Sequence, residues 1–104
     1  MMKLGIVVTD DRLIDQAVQL AETARNRSWD VRCFLTDRGV MALANAQLAK
    51  LVEEGGLKTA ICELSIERCP DELPQGVINC EHVIVGGQYQ DAELVRQCDR
   101  TVVL

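Results

Sequence analysis

The chain is poor in aromatics, histidine and proline, and it has no long apolar run. Trp29, Tyr89 and Phe34 are its only aromatics, 3% of 104 residues. A packed interior must therefore come from Val, Leu, Ile and Ala, within the 48% of the chain that is hydrophobic. That share excludes a disordered tail, and the length suits one domain spanning residues 1–104 rather than a multidomain enzyme. No segment approaches the roughly 18 apolar residues of a membrane span. The opening stretch from Met1 to Thr9 is too short for a signal peptide and stops at Asp10-Asp11. The expectation is a cytoplasmic protein whose thiols stay reduced. Positive charge is also short: 11 Lys and Arg against 16 Asp and Glu give a net charge of −5. Nucleic acid and anionic membrane surfaces both require a basic face, so neither is expected as the main partner.

Several chemical signatures are missing as well. There is no C-x-x-C, which removes a thioredoxin-type dithiol and a zinc ribbon. His82 is the single histidine, so a His-based metal site is not expected and His82 reads as a strand-edge residue. The first strand is followed by Thr9-Asp10-Asp11 where a dinucleotide fold would carry G-x-G-x-x-G. No nucleophile elbow is present for a Ser/His/Asp hydrolase. The Asp10-Asp11 pair invites comparison with the Mg²⁺-holding carboxylates of response-regulator receivers. That comparison fails, because the third strand ends in Cys62 instead of an aspartate and no lysine follows Lys58. Neither a cofactor nor a metal is expected.

What is present is an alternation of strands and helices. Leu4 to Val8 is a β-branched run without polar alternation, as in a strand buried on both faces of a parallel sheet. Leu13, Ala17, Leu20, Ala21 and Ala24 recur at helical spacing opposite Gln16, Gln19, Glu22 and Arg25, predicting an amphipathic helix ending near Arg27. Val31 to Leu35 reads as a second strand. Val40 to Glu54 reads as one helix closed by Gly55-Gly56, and Thr59 to Cys62 as a third strand. Between Glu63 and Gly76 lie both prolines, Pro70 and Pro74, so at most a short helix fits there. Glu81 to Val85, Ala92 to Gln97 and Arg100 to Leu104 complete the pattern as strand, helix and strand. The implied architecture is a three-layer α/β/α sandwich around a mainly parallel five-stranded sheet.

In such a sheet, ligands and reactive groups gather beyond the carboxyl ends of the strands. Of the five cysteines, Cys62 stands at such an end. Cys33 is mid-strand and reads as a small core residue. Cys80 and Cys98 precede strands and so belong at the opposite edge. Cys69 lies in the irregular stretch, where it either approaches Cys62 or faces solvent. A helical turn over residues 63–68 would place Cys62 at a helix start, where free N–H groups favour a thiolate. Glu63, Asp10, Asp11 and Asp37 would oppose that, and Arg12, Arg38 and Arg68 would compensate. Position alone leaves an inert and a reactive Cys62 on equal footing.

Around Cys62 the chain resembles the DsrE/DsrF/DsrH family, which includes the Tus sulfur-relay proteins. The resemblance rests on four segments in order: the opening strand Lys3 to Thr9, Val31 to Leu35 leading to Gly39-Val40, Ala60-Ile61-Cys62-Glu63-Leu64-Ser65, and Gln97-Cys98-Asp99-Arg100 running into Thr101 to Leu104. It departs from the family where Arg68-Cys69-Pro70 replaces a common glycine. The resemblance implies a DsrE-like fold and an intracellular sulfur carrier, with sulfane sulfur held as a persulfide on Cys62 and Cys69 as a secondary thiol. It implies persulfide donor and acceptor proteins as partners. It also implies a homo-oligomer, a trimer or hexamer, or a hetero-oligomer of related subunits. Two other readings stand beside it. One is a non-catalytic interaction subunit with an inert Cys62; the other is small-ligand binding at the strand ends by Asp10, Asp37 and the Gly86-Gly87 turn.

Overall fold

The computed structural model describes residues 1–69, 73 and 75–104, and the connection carrying Pro70 and Pro74 lies in part outside them. Five strands, β1 (Lys3–Val8), β2 (Asp30–Leu35), β3 (Lys58–Cys62), β4 (Val83–Gly86) and β5 (Arg100–Val103), form one sheet. All pairings are parallel and the order is β4-β3-β2-β1-β5. The α-helices are α1 (Ile14–Asn26), α2 (Ala46–Glu53), α3 (Glu63–Arg68), α4 (Gln75–Ile78) and α5 (Gln88–Gln97), with 3-10 segments at Asp11–Leu13 and Asp37–Ala44. The expected three-layer α/β/α arrangement is the one observed.

The two sheet faces follow from the strand pleat, which sends alternate side chains to opposite sides. Leu4, Ile6 and Val8 of β1, with Val31, Cys33 and Leu35 of β2, face the larger core beneath α1, α2 and the second 3-10 segment. Val7, Phe34 and Cys62 point to the other face, where Leu94 of α5 meets them. Phe34 is fully buried there. Gly5 lets α5 approach β1 closely, since a Cβ at that position would press on the Leu94 side chain.

The single helix expected over residues 40–54 is instead two segments. The 3-10 run Asp37–Ala44 ends at Asn45, whose backbone is extended. The Asn45 carboxamide oxygen accepts the N–H groups of Gln47 and Leu48 and starts α2 afresh. A side chain that satisfies two orphan N–H groups makes an N-cap more stable there than a continuous helix. The 3-10 run is pulled tight against the end of β1: a Cβ on Gly39 would collide with the Val8 carbonyl.

Helix α5 starts at Gln88, four residues before the expected Ala92, with Gly87 as its N-cap. Gln88 and Tyr89 are exposed and Gln90 is half-buried, so this turn carries no apolar periodicity to mark it. Strand β4 begins at Val83, two residues later than expected, because Cys80 accepts the Val83 N–H in a turn. Among the described residues, no helix is long and apolar enough to cross a membrane.

Candidate functional site

Strand β3 ends at Cys62, and α3 begins at the next residue, so Cys62 is the N-cap of α3. Ala60 and Cys62 share the α5 side of the sheet while Ile61 joins the larger core. Cys62 is 7% exposed, packed beside Val7, Phe34 and Leu94 but open to the surface at the strand end. Its register partner on β4 is Gly86, which brings the start of α5 alongside.

The Cys62 thiol is held below its ordinary titration range, and the main cause is the Ser65 hydroxyl. Burial opposes that effect, while the Ser65 N–H, the Thr36 hydroxyl and the Leu64 N–H add to it. No side-chain hydrogen bond of ordinary geometry from Cys62 caps α3. The N–H groups of the first turn nevertheless face the sulfur and favour its anion, as unsatisfied donors at a helix start do. Ser65 is itself oriented from the adjacent loop. The Asp37 N–H donates to Ser65 Oγ at 2.9 Å, and Thr36 Oγ1 lies 3.4 Å from the same oxygen. With a lone pair occupied by Asp37, the Ser65 proton is available to the sulfur. Asp37 adopts φ 52, a conformation that costs a non-glycine residue about 1–3 kcal/mol and that clusters at functional sites.

Two open cavities meet at Cys62. One, of about 330 Å³, has Thr36, Asp37, Arg38, Ser65, Arg68 and Cys69 in its walls. The other, of about 570 Å³, has Glu63, Glu67, Gly86 and Gly87. Leu64 and Gln88 border both. Of the four carboxylates expected to oppose a thiolate, Asp37 and Glu63 border the cavities and two are engaged elsewhere. Asp10 caps the first 3-10 turn and pairs with Arg12 at 2.7 Å, which lowers its carboxyl to about 2. Asp11 pairs with Arg38 at 2.9 Å. Of the three arginines named from sequence, Arg38 and Arg68 border the thiol cavity, whereas Arg12 lines a separate one with Asp11 and Asp15.

The other thiols have different surroundings. Cys33 is fully enclosed and burial pushes it up to about 12, as suits a core residue. Cys98, at the end of α5, is raised chiefly by burial. Cys80 is half-buried just ahead of β4. Cys69 shares the cavity with Cys62, and its sulfur rests 3.5 Å from Met41 Sδ. It is the C-cap of α3, so the helix stands between the two thiols. At 1.5 Å of rise per residue their Cα atoms are about 10 Å apart, beyond the roughly 7 Å that a disulfide spans.

Thr36 and Gln88 belong to strand ends where reactive groups are expected from the sequence, in Thr36-Asp37-Arg38-Gly39 and Gly86-Gly87-Gln88, but neither they nor Ser65 had a role of their own there. For Ser65 a signal exists: Cys62-Glu63-Leu64-Ser65 has the spacing of an N-cap and the residue three positions on, which reach back to each other at helix starts. Thr36 and Gln88 arrive from other strand ends and carry no local signal. The strand-end residues Asp10, Asp37 and Gly86-Gly87 do not form one ligand site, since Asp10 is occupied by Arg12 and the other two border different cavities. Among the described residues no group of three His, Cys, Asp or Glu side chains is placed to hold a metal ion.

No family model matches the chain, and no curated protein matches by sequence. Among solved structures, the crystal structure of the ychN protein from E. coli is similar over 100% of both chains, with a TM-score of 0.68 at 17% identity. That likeness shows the fold, an α/β domain built on a five-stranded parallel sheet.

Proposed function

We propose that the protein is an intracellular sulfur carrier that accepts and passes on sulfane sulfur as a persulfide on Cys62. The observation that carries this reading is the contrast between two thiols of one chain. Cys62 is lowered by the Ser65 hydroxyl and opens on a cavity, while Cys33 is sealed and raised to about 12. A thiolate is the nucleophile in sulfur exchange, so the first is the more competent of the two and the second stays a thiol. In the accepting step Cys62–S⁻ attacks the outer sulfur of a donor persulfide R–S–SH. The donor S–S bond breaks, R–S⁻ leaves and takes up the proton, and Cys62–S–S⁻ remains. In the handing-on step an acceptor thiolate attacks that outer sulfur, and Cys62–S⁻ is restored. No metal or redox partner enters either step.

The resemblance of the Cys62 segment to sulfur-relay proteins supports the same reading and brings partners with it. These are a persulfide donor protein, an acceptor protein, and either further copies of this chain, as a trimer or hexamer, or related subunits. Assembly has its own support. One sheet face lies under α1, α2 and the second 3-10 segment, but among the described residues the other is covered by α5, with Ile84, Tyr89, Val95 and Val103 exposed. Parallel sheets are normally covered on both faces. The same surface favours a second reading, a non-catalytic interaction subunit with an inert Cys62.

The test is mass spectrometry after incubation with a persulfide donor, comparing the protein with Cys62→Ser. A gain of about 32 Da on the Cys62 peptide, absent from the variant, is expected. No gain, or a gain spread over all five cysteines, would leave the interaction-subunit reading. Alkylation separates the two readings independently: Cys62 should label well ahead of Cys33 at neutral pH.

A further inference from the structure

We infer that the cavity between Arg38 and Arg68 receives a small anionic sulfane donor of the thiosulfate or thiosulfonate class, aligned for attack by Cys62. This rests on the persulfide reading of Cys62 and adds to it the chemistry of the donor. The chain as a whole carries −5, yet among the described residues this cavity is bordered by two arginines and Asp37, with Asp11 paired to Arg38. The adjoining cavity on the other side of Cys62 has the opposite character, with Glu63 and Glu67 in its wall. The two approaches to one sulfur are therefore electrostatically distinct. Arg38 is anchored by Asp11 at 2.9 Å, which fixes its direction at the cavity edge. The remaining walls offer hydroxyls and an amide, from Thr36, Ser65 and Gln88, which are suitable partners for sulfonyl oxygens. About 330 Å³ suffices for a small oxyanion with its nearest waters.

A thiolate attacking a doubly charged donor meets like-charge repulsion, and guanidinium groups are the side chains best suited to offset it at an oxyanion. The step balances without a further reactant. Cys62–S⁻ attacks the outer sulfur of thiosulfate, the S–S bond of thiosulfate breaks, and sulfite departs with the bonding electron pair. Cys62–S–S⁻ is left, and the total charge is the same before and after. Charge accumulates on the departing sulfite, where Arg38 and Arg68 stand.

The experiment measures persulfide formation on Cys62 and the leaving group of three donors: sulfite from thiosulfate, benzenesulfinate from benzenethiosulfonate, and cysteamine from cysteamine persulfide, whose ammonium group cancels its sulfur charge. The chain is compared with Arg38→Gln, Arg68→Gln, the double variant and Arg68→Lys. Both arginines are exposed, so these variants are expected to fold. The expected result is one sulfite per Cys62 persulfide with thiosulfate. The rate for thiosulfate relative to cysteamine persulfide should fall on the order of tenfold for each arginine lost, with partial recovery in Arg68→Lys. A larger fall for thiosulfate than for benzenethiosulfonate marks the doubly charged donor as the better fit, and the reverse marks the thiosulfonate. Sulfur accepted from cysteamine persulfide but from neither sulfonyl donor would overturn this inference and leave the persulfide reading standing. An unchanged ratio in the double variant would overturn the role of the arginines. Sulfur accepted from none of the three would overturn the persulfide reading, and this inference with it.

Discussion

Replacing Ser65 by alanine removes the hydroxyl that most strongly favours the Cys62 thiolate and leaves the cavity otherwise intact. Hydrogen bonds to charged groups contribute about 1.5–3 kcal/mol, whereas a neutral thiol is a weak acceptor and loses little. Water entering the open cavity recovers part of the difference. A net loss of about 1.4 kcal/mol for the thiolate is a tenfold smaller ratio of thiolate to thiol, and a tenfold smaller thiolate fraction at pH below both titrations. The rate changes less than the fraction. A more basic thiolate is more nucleophilic, and a Brønsted coefficient of about 0.4–0.5 returns roughly threefold. Alkylation of Cys62 by iodoacetamide should thus be about threefold slower in Ser65→Ala at pH below both titrations. Above both titrations it should be about threefold faster, so the two pH–rate curves cross. The assay is the pH–rate profile of the Cys62 peptide by mass spectrometry, with unlabelled Cys33 as the sign that the fold is intact. Superimposable profiles would refute the argument. Uniform slowing at every pH would refute it too, since that reports altered access and not a changed anion.

Other consequences follow from the same geometry. Cys33 keeps its proton to about 12 in the folded protein, while in the unfolded chain it ionises near its ordinary value of about 8.5. Between those values the unfolded state binds fewer protons, so stability falls with rising pH, by about 1.4 kcal/mol per unit from this group. Urea unfolding from neutral to strongly alkaline pH should therefore show a shallower loss in Cys33→Ala than in the parent chain, and equal slopes would contradict the burial argument. Gly39→Ala drives a Cβ into the Val8 carbonyl and should cost about 3 kcal/mol or more, read as a fall in Tm of more than about 10 °C. Phe34→Ala empties the centre of the α5-side core and should cost about 3–5 kcal/mol in urea unfolding. Oxidised protein, digested without reductant, should yield no crosslink between Cys62 and Cys69, because α3 would have to unwind to close it.

The five strands and most of the helices were legible because their signal is local. Leu4 to Val8 and Val31 to Leu35 are apolar on both faces, and the pleat of a covered parallel sheet requires that pattern. The break at Asn45 was less legible. Leu43, Leu48 and Val52 keep an inward face on both sides of it, so periodicity runs through a point where a side-chain cap divides the segment. The first turn of α5 was hidden for the opposite reason: Gln88, Tyr89 and Gln90 show no apolar pattern at all.

The candidate site divides along the same line. That Cys62 closes a strand and opens a helix was written in the order of its neighbours, since a buried strand, an N-cap and a following turn are all properties of consecutive residues. Even Ser65, three residues on, belongs to that local grammar. The partners from other strand ends do not. Thr36 and Asp37 reach Ser65 because β2 pairs with β3 in parallel, and Gln88 arrives because Gly86 lies opposite Cys62 on β4. The register of the sheet determined those meetings. It also sorted the charges, tying Asp10 to Arg12 and Asp11 to Arg38 while setting Arg68 on one side of the thiol and Glu63 and Glu67 on the other. Composition could count these charges. Only the packed chain could decide which of them face the sulfur, because electrostatic influence depends on distance and burial, and neither exists until distant segments are brought together.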